Sequence, residues 1–428
     1  MITTVIMAGG KGTRVTSISS NIPKPMIPLC GKPVLEYQID CLKKNGLIDI
    51  IIVVGYFGQI IKDYFGDGVR FGCNISYYTE TKPLGTAGAL FEIKNLSDCF
   101  LLVNGDIVFD IDFNRMISFH NEKGADVTLA VHPNNHPYDS TLLVTDSNNR
   151  VIGWINKEEK RIYFKNQVNS GIHIVSLEFL KQFSFNNCLV DFDRDLLKPR
   201  IKTNNILAYH TPEYIKDMGT PERYEQVISD IVSGKVMKKN LTQKQKCVFL
   251  DRDGTINVFN NFIKKPNDFS LLNGAAEAIK IINDLGYLAI VITNQPVIAR
   301  GEVDIKTLNA IHMKMESELA KSGAYIDDLF YCPHHPDKGF PGELSQYKID
   351  CDCRKPKPGL IFEASKKYNI DLGQSYMAGD DLRDIEAGIA AGCIPVYLSE
   401  LEKIKDTSVL TFENLLKFSE YLFSSKTL

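Results

Sequence analysis

Along the chain, short runs of β-branched and aliphatic residues alternate with longer stretches in which apolar side chains recur every three or four positions. In the first half TTVIM, IDIIIVVG, DCFLLVNGD and ADVTLAV read as strands, with a helix over Val34–Asn45 after the first. In the second half CVFL, YLAIVIT, SYMAGD and CIPVYL read as strands, with helices near Ala275–Leu285 and Ile305–Lys321. Runs this short and apolar suit strands covered on both faces, and their alternation with helices predicts an α/β fold with mainly parallel sheets. Between the halves, VSGKVMKKNLTQKQK is polar and rich in lysine. A domain at 1–236, a linker at 237–246 and a second domain at 247–428 are therefore expected.

Length supports that division, because 428 residues, 44% apolar and 24% charged, exceed what one hydrophobic core usually serves. The net charge of −3 and the lack of long Lys/Arg blocks give no reason to expect nucleic acid or a membrane surface as partner, which leaves small molecules. No run reaches the roughly 18 apolar residues of a membrane span. MITTVIMAGGKGTR reads as a first strand entering a glycine loop, not as a signal peptide. Seven of the ten cysteines (Cys30, Cys41, Cys73, Cys99, Cys188, Cys247, Cys393) are scattered singly, mostly among apolar residues, which fits free thiols in the cytoplasm.

In AGGKGTR, Ala8–Arg14, residues without side chains would let backbone N–H groups approach phosphate oxygens. The spacing is neither that of a Walker loop nor GxGxxG, and alone it also describes a plain strand-to-helix turn. Further on stand IPKPMIPL with Lys24, GKPVLEY with Glu36, ETKPLGTAGAL from Glu80, NGD at Asn104–Asp106 and KDMGTPERY with Asp217. In this order the motifs resemble the sugar-1-phosphate nucleotidyltransferases over about Met1–Val232. The resemblance implies that Ala8, Gly9, Gly10, Gly12 and Thr13 cradle a nucleoside triphosphate, that Arg14 and Lys24 neutralise it, and that Asp106 and Asp217 hold Mg²⁺. It sets Glu80, Gly85 and Asn104 beside the nucleotide and Asn169 and Gly171 beside the sugar. Glu159 and Lys160 fall where the family carries a Glu-Lys pair near the sugar phosphate, although NKEEKR also reads as solvated surface charge. Joining two polyanions at one phosphorus requires such positive charge. After Arg14 the family's usual Leu-x-Pro-Leu-Thr is replaced by Val-Thr-Ser-Ile-Ser-Ser, which resembles the branch that transfers GMP to D-glycero-D-manno-heptose 1-phosphate. Pattern alone names no residue that selects guanine.

CVFL ends in Asp251-Arg252-Asp253-Gly254-Thr255, so two carboxylates stand at the carboxyl edge of a sheet, where α/β folds take ligands. A lone DxD also describes a cap or turn. Here Thr293-Asn294 end a second strand, Arg354-Lys355 follow a cysteine loop, and Gly379-Asp380-Asp381 end a third, with Asp384 beyond. The set resembles the haloacid dehalogenase superfamily phosphatases over about Cys247–Leu398, so that both domains are expected to be Rossmann-like, the second without a large cap. DRDGTIN, TNQ, CPHHP, CDCRKP and GD resemble the heptose bisphosphate phosphatases, and next the histidinol phosphatases. A phosphate monoester is a poor electrophile with a poor leaving group, so its hydrolysis needs a nucleophile, a proton donor and positive charge. The resemblance makes Asp251 the nucleophile and Asp253 the acid and base. It gives Mg²⁺ to Asp251, Asp380 and the Asp253 carbonyl, and sets Thr293, Asn294, Arg354 and Lys355 at the phosphoryl oxygens, with Asp384 orienting the shell. Two departures from it appear: Pro296-Val297 replace Ser-Gly, and Asp381 replaces a Lys.

Cys332, His334, Cys351 and Cys353 form a Cys₃His set suited to tetrahedral Zn²⁺. Four protein ligands leave no open position, so the site is expected to be structural. His335 is the competing imidazole. Taken together, the resemblances imply removal of the C7 phosphate of heptose 1,7-bisphosphate, then transfer of heptose 1-phosphate to GTP. Mannose 1-phosphate or histidinol phosphate as substrate, an inactive regulatory second domain, and homo-oligomerisation all stay open.

Overall fold

The computed structural model describes residues 2–10, 22–259, 261–339, 341–399 and 406–426. The chain divides into two compact units, the first of Met1–His132, Thr141–Asn156 and Gln167–Asn240, the second of Pro133–Ser140, Lys157–Asn166 and Leu241–Leu428. Two short segments from the first half of the sequence thus group with the second unit.

The first unit is built on a nine-stranded sheet. Thr3–Met7 lies at its centre, parallel to Asp49–Val54 on one side and Cys99–Asn104 on the other. Val168–Ser176 runs antiparallel to Cys99–Asn104 and to Val127–His132, so the parallel core that the alternation predicts continues into a mixed sheet. Val5 and Ile6 are fully buried in separate clusters, as strands covered on both faces require. Val34–Lys44 is helical, and the Asn45 side-chain amide ends it by donating to the carbonyls of Cys41 and Ile111.

The second unit carries a parallel six-stranded sheet in the order Asp328–Cys332, Leu288–Asn294, Cys247–Leu250, Tyr376–Gly379, Ile394–Leu398, Leu410–Phe412. Strand order reverses at Cys247–Leu250, and a crevice at the carboxyl ends follows from that reversal. All four residues of this strand are fully buried, each large apolar one contributing roughly 1.5–3 kcal/mol. Helices Ala275–Asp284 and Ile305–Ala320 end one residue earlier than their periodicity suggests.

The lysine-rich stretch is packed at both ends. Asn240 donates to Asp110 Oδ1 at 2.7 Å in the first unit, and the Gln245 main chain pairs with Asn369 and Asp371 in the second. All ten cysteines are free thiols, Cys30 being exposed. Among the described residues no helix is long and apolar enough to cross a membrane.

Candidate active sites

Ala8, Gly9 and Gly10 leave the central strand of the first unit at its carboxyl end, with the Ala8 N–H donating to Val53 O at 2.9 Å. A Cβ at Gly9 would collide with Glu80 Oε2, so glycine lets this carboxylate close over the loop. Glu80 Oε1 accepts from the Leu84 N–H at 3.2 Å, and partial burial raises the pKa in spite of that bond. Lys24 Nζ lies 3.5 Å from Asp106 Oδ2. Asp217 stands opposite Ile107 in an antiparallel ladder, next along from Asp106, and accepts from Arg223 Nη1 and the Gly219 N–H, each at 2.8 Å. Gly12, Thr13 and Arg14 lie outside the described residues.

Asn104, Asn169 and Gly171 come together where Val168–Ser176 shifts register between Asn169 and His173. Gly171 has φ +74°, and a Cβ there would strike the Asn104 side chain. Asn169 Nδ2 donates to Asp193 Oδ2 at 3.0 Å, while Asp193 Oδ1 is buried without a partner among the described residues. Burial, with Asp191 nearby, raises Asp193 to about 6. Sequence reasoning passed over this residue, whose one signal was the repeated carboxylate in DFDRD. Gly85 bridges Val190, and Thr86 Oγ1 accepts from the Phe192 N–H at 2.8 Å, which carries the Asp193 segment against the PLGTAG loop. Glu159 and Lys160 do not group with the first unit. They are exposed, in a turn that groups with the second unit.

At the head of the second unit's central strand, Asp251 meets a buried Lys355. Lys355 Nζ lies 2.7 Å from Asp251 Oδ1, 2.7 Å from Asp384 Oδ1 and 2.7 Å from the Ile292 carbonyl. Burial alone would lower the Lys355 pKa, but Asp251 and Asp384 outweigh it and raise it. Burial raises Asp251 to about 6 against the opposing pull of Lys355, and raises Asp380 to about 6. Oxygens of Asp251, Asp380 and Asp384 lie within 4.8 Å of one another. Three carboxylates against one ammonium suit a hard divalent cation. Gly254 and Gly379 admit the cluster, since a Cβ at either would strike Asp380 or Asp384 respectively.

The Asp253 carboxylate is held by other side chains. Its Oδ1 accepts from Arg252 Nη2 at 2.8 Å, Asn257 Nδ2 at 3.0 Å and Arg252 Nε at 3.2 Å, and its Oδ2 from Arg252 Nη2 at 2.7 Å and Gln295 Nε2 at 2.9 Å. Arg252 and Gln295 stand in motifs already noted, DRDGT and TNQ, but nothing local tells where they point. Thr293 Oγ1 accepts from Gln295 Nε2 at 2.9 Å, and Asn294 bonds the main chain of Lys355. Asp381 caps helix Leu382–Ala391 in a capping box with Asp384, a device contributing about 1 kcal/mol. Arg383, bidentate on Asp381 at 2.8 and 2.7 Å, returns a positive charge within reach of Asp384 and Asp251. Val297 packs with Ile298, Val303 and Leu308.

Cys332, His334, Cys351 and Cys353 converge. Cys353 Sγ lies 3.2 Å from Cys332 Sγ, 3.2 Å from Cys351 Sγ and 3.2 Å from His334 Nδ1, and Cys332 Sγ lies 3.6 Å from Cys351 Sγ. Zinc–sulfur bonds of about 2.3 Å in a tetrahedron set sulfurs roughly 3.8 Å apart, so the donor set fits zinc with slight expansion. His335 Nδ1 instead accepts from the Asp337 N–H at 3.2 Å. Arg354 Nη1 donates to the His334 carbonyl at 3.2 Å, tying the cluster to the loop before Lys355.

Comparison with known proteins matches residues 3–234, more than half of the chain, to the nucleotidyl transferase family and residues 352–398 to a HAD-hydrolase-like family. The chain is 40% identical over 151 residues, 35% of its length and 78% of the relative's, to the D-glycero-beta-D-manno-heptose-1,7-bisphosphate 7-phosphatase of Photorhabdus laumondii. It is 38% identical over 144 residues, 34% of its length and 73% of the relative's, to the protein of that name from Escherichia coli K12. The crystal structure of HddC from Yersinia pseudotuberculosis is 28% identical and covers 54% of this chain and 100% of its own, with a TM-score of 0.48. The chain therefore joins two enzymes, belonging to the nucleotidyl transferase family through its first unit and to the heptose-bisphosphate phosphatase family through its second.

Proposed function

We propose that the second unit removes the C7 phosphate of D-glycero-D-manno-heptose 1,7-bisphosphate and that the first joins the resulting heptose 1-phosphate to GTP, giving GDP-heptose and pyrophosphate. The observation that carries the phosphatase half is the buried Lys355 ammonium shared at 2.7 Å between Asp251 and Asp384 at the head of the central strand. It sets a nucleophile and a positive charge at one point, where a phosphoryl group could be attacked and its oxygens neutralised.

Asp251 attacks phosphorus, and the bond from phosphorus to the C7 oxygen breaks with its electron pair on that oxygen, which takes a proton from Asp253. Asp253, now a carboxylate, removes a proton from the water that attacks the aspartyl-phosphate. The bond between phosphorus and Asp251 then breaks and inorganic phosphate leaves. Asp251, Asp380 and the main-chain carbonyl of Asp253 would hold Mg²⁺, which supplies further positive charge at the phosphoryl oxygens. Cys332, His334, Cys351 and Cys353 would hold a structural Zn²⁺ that fixes the loop delivering Arg354 and Lys355.

In the first unit an oxygen of the sugar phosphate attacks the α-phosphorus of GTP, and the bond to the β-phosphate breaks. Gly9, Gly10, Lys24 and Arg14 would receive the triphosphate, Asp106 and Asp217 would hold Mg²⁺, and Asn169 with Gly171 would receive the sugar. Guanine offers N1–H and N2–H side by side, the edge that an acceptor-only carboxylate matches, and Glu80 presents such a carboxylate over the glycine loop. A GTP-dependent reaction on a chain of free thiols is in keeping with a cytoplasmic location.

The deciding experiment supplies heptose 1,7-bisphosphate, GTP and Mg²⁺, with GTP plus mannose 1-phosphate as control. GDP-heptose, phosphate and pyrophosphate are expected, and mannose turnover without heptose turnover would sink the pathway. An Asp251→Asn chain should make GDP-heptose from heptose 1-phosphate but release no phosphate from the bisphosphate, and phosphate release by the parent chain that this variant abolishes excludes an inactive second unit.

A further inference from the structure

We infer that Arg252 is a positioning residue for Asp253 in the phosphatase reaction, an inference that rests on the acid and base role proposed for Asp253. Arg252 separates the two aspartates of DRDGT, yet only 1% of it is exposed, and it heads the large side chains buried completely. Its Nη2 bridges both Asp253 oxygens at 2.8 and 2.7 Å, and its Nε meets Oδ1 at 3.2 Å. Asn257 and Gln295 add one donor each, at 3.0 and 2.9 Å. Five bonds on two oxygens fix both the plane of the carboxyl group and its direction from the strand end.

The guanidinium is itself fixed from behind. Arg252 Nη1 donates to His312 Nε2 at 3.2 Å, and burial, reinforced by the charge of Arg252, holds the His312 pKa far down, so that the ring stays neutral and accepts. Burying a guanidinium is costly unless its charge and donors are met, and a site that needed packing alone would be better filled by an apolar side chain. The buried pair of Arg252 and His312 therefore marks the direction of the Asp253 carboxyl as what this part of the fold maintains. Arg252 would touch no substrate atom and would act through Asp253.

Leaving groups separate this role from a merely structural one. A sugar alkoxide departs only when protonated, whereas 4-nitrophenolate departs without a proton. The constant kcat/KM covers the steps through departure of the leaving group, so it is the quantity to compare for heptose 1,7-bisphosphate and 4-nitrophenyl phosphate in the full-length enzyme. Arg252→Lys should lower it at least about tenfold more for the sugar bisphosphate than for the aryl ester, general acid catalysis being worth on the order of 10²–10⁴. Equal losses on the two substrates, or no loss on either, would overturn the inference. Should Arg252→Lys fail to fold, the His312 variants decide. His312→Gln keeps an acceptor for Arg252 and should keep the wild-type ratio of the two constants, whereas His312→Leu should shift the ratio against the sugar bisphosphate, and an unshifted ratio overturns the inference. A wild-type enzyme that released phosphate from neither substrate would instead remove the phosphatase reading itself.

Discussion

The side-chain amide of Asn294 brackets the main chain of Lys355: its Oδ1 accepts from the Lys355 N–H at 3.1 Å and its Nδ2 donates to the Lys355 carbonyl at 3.1 Å. The resemblance to the phosphatases sets Asn294 at the phosphoryl oxygens, but here its amide is occupied in holding the lysine whose ammonium meets Asp251. Lys355 is thus fixed at both ends, by Asn294 at its backbone and by Asp251, Asp384 and the Ile292 carbonyl at its tip.

Asn294→Ala leaves two main-chain groups of Lys355 without their partner and frees the root of the side chain. Phosphatase kcat/KM should fall about 10- to 100-fold and stability by about 1–3 kcal/mol, measured by phosphate release and by denaturant titration. Unchanged phosphatase kinetics would show that the tip contacts suffice.

Zinc removal should act on one activity. A chelator, or Cys351→Ser, loosens the loop that carries Arg354 and Lys355 and so should weaken phosphate release while sparing GDP-sugar synthesis. Elemental analysis should find one zinc per chain in the untreated protein. Equal loss of both activities would contradict a role confined to this loop.

Glu80→Gln exchanges one acceptor oxygen for a donor on the side chain above Gly9. The preference for GTP over UTP, measured as a ratio of kcat/KM values, should fall at least tenfold, in keeping with roughly 1–3 kcal/mol for a bidentate base contact. A ratio that stays put would remove Glu80 from base selection.

Glu316 gives stability a pH dependence. Burial raises its pKa to about 7, against Lys165 and the bond from the Asn166 N–H at 2.7 Å. Because the carboxyl holds its proton longer in the folded than in the unfolded chain, this group's contribution to stability falls as pH rises from about 4.5 to about 7 and then levels off. Glu316→Gln should remove that slope, matching the parent near pH 5 and exceeding it by on the order of 2 kcal/mol at pH 8. Urea melts across this range test the sign directly.

The two α/β units, the strands that head each site and the order of their motifs were legible in the linear text. Period and length suffice to identify a buried strand, and Asp251, Asp380 and Lys355 each follow a recognisable local pattern. The spacing of Cys332, His334, Cys351 and Cys353 was equally readable, because thiolate and imidazole donors stand in two close pairs that turns can bring together.

Side-chain direction across the sheet was not readable. Arg252 is adjacent to Asp253 in sequence, but its bond to His312 spans 60 positions, and Asn294 meets Lys355 across 61. Asp193 reaches Asn169 from the separate helical turn Phe192–Leu197, and Lys157–Asn166 leaves the transferase half of the text to group with the second unit. Local patterning decides which residues form a strand and which face they bury, since those depend on backbone geometry and on exclusion from water. Which buried donor meets which acceptor depends on how distant strand ends are stacked, and that arrangement exists only once the sheet has formed. The chain's sequence therefore determined the chemistry it carries, and its tertiary structure decided which side chains hold that chemistry in place.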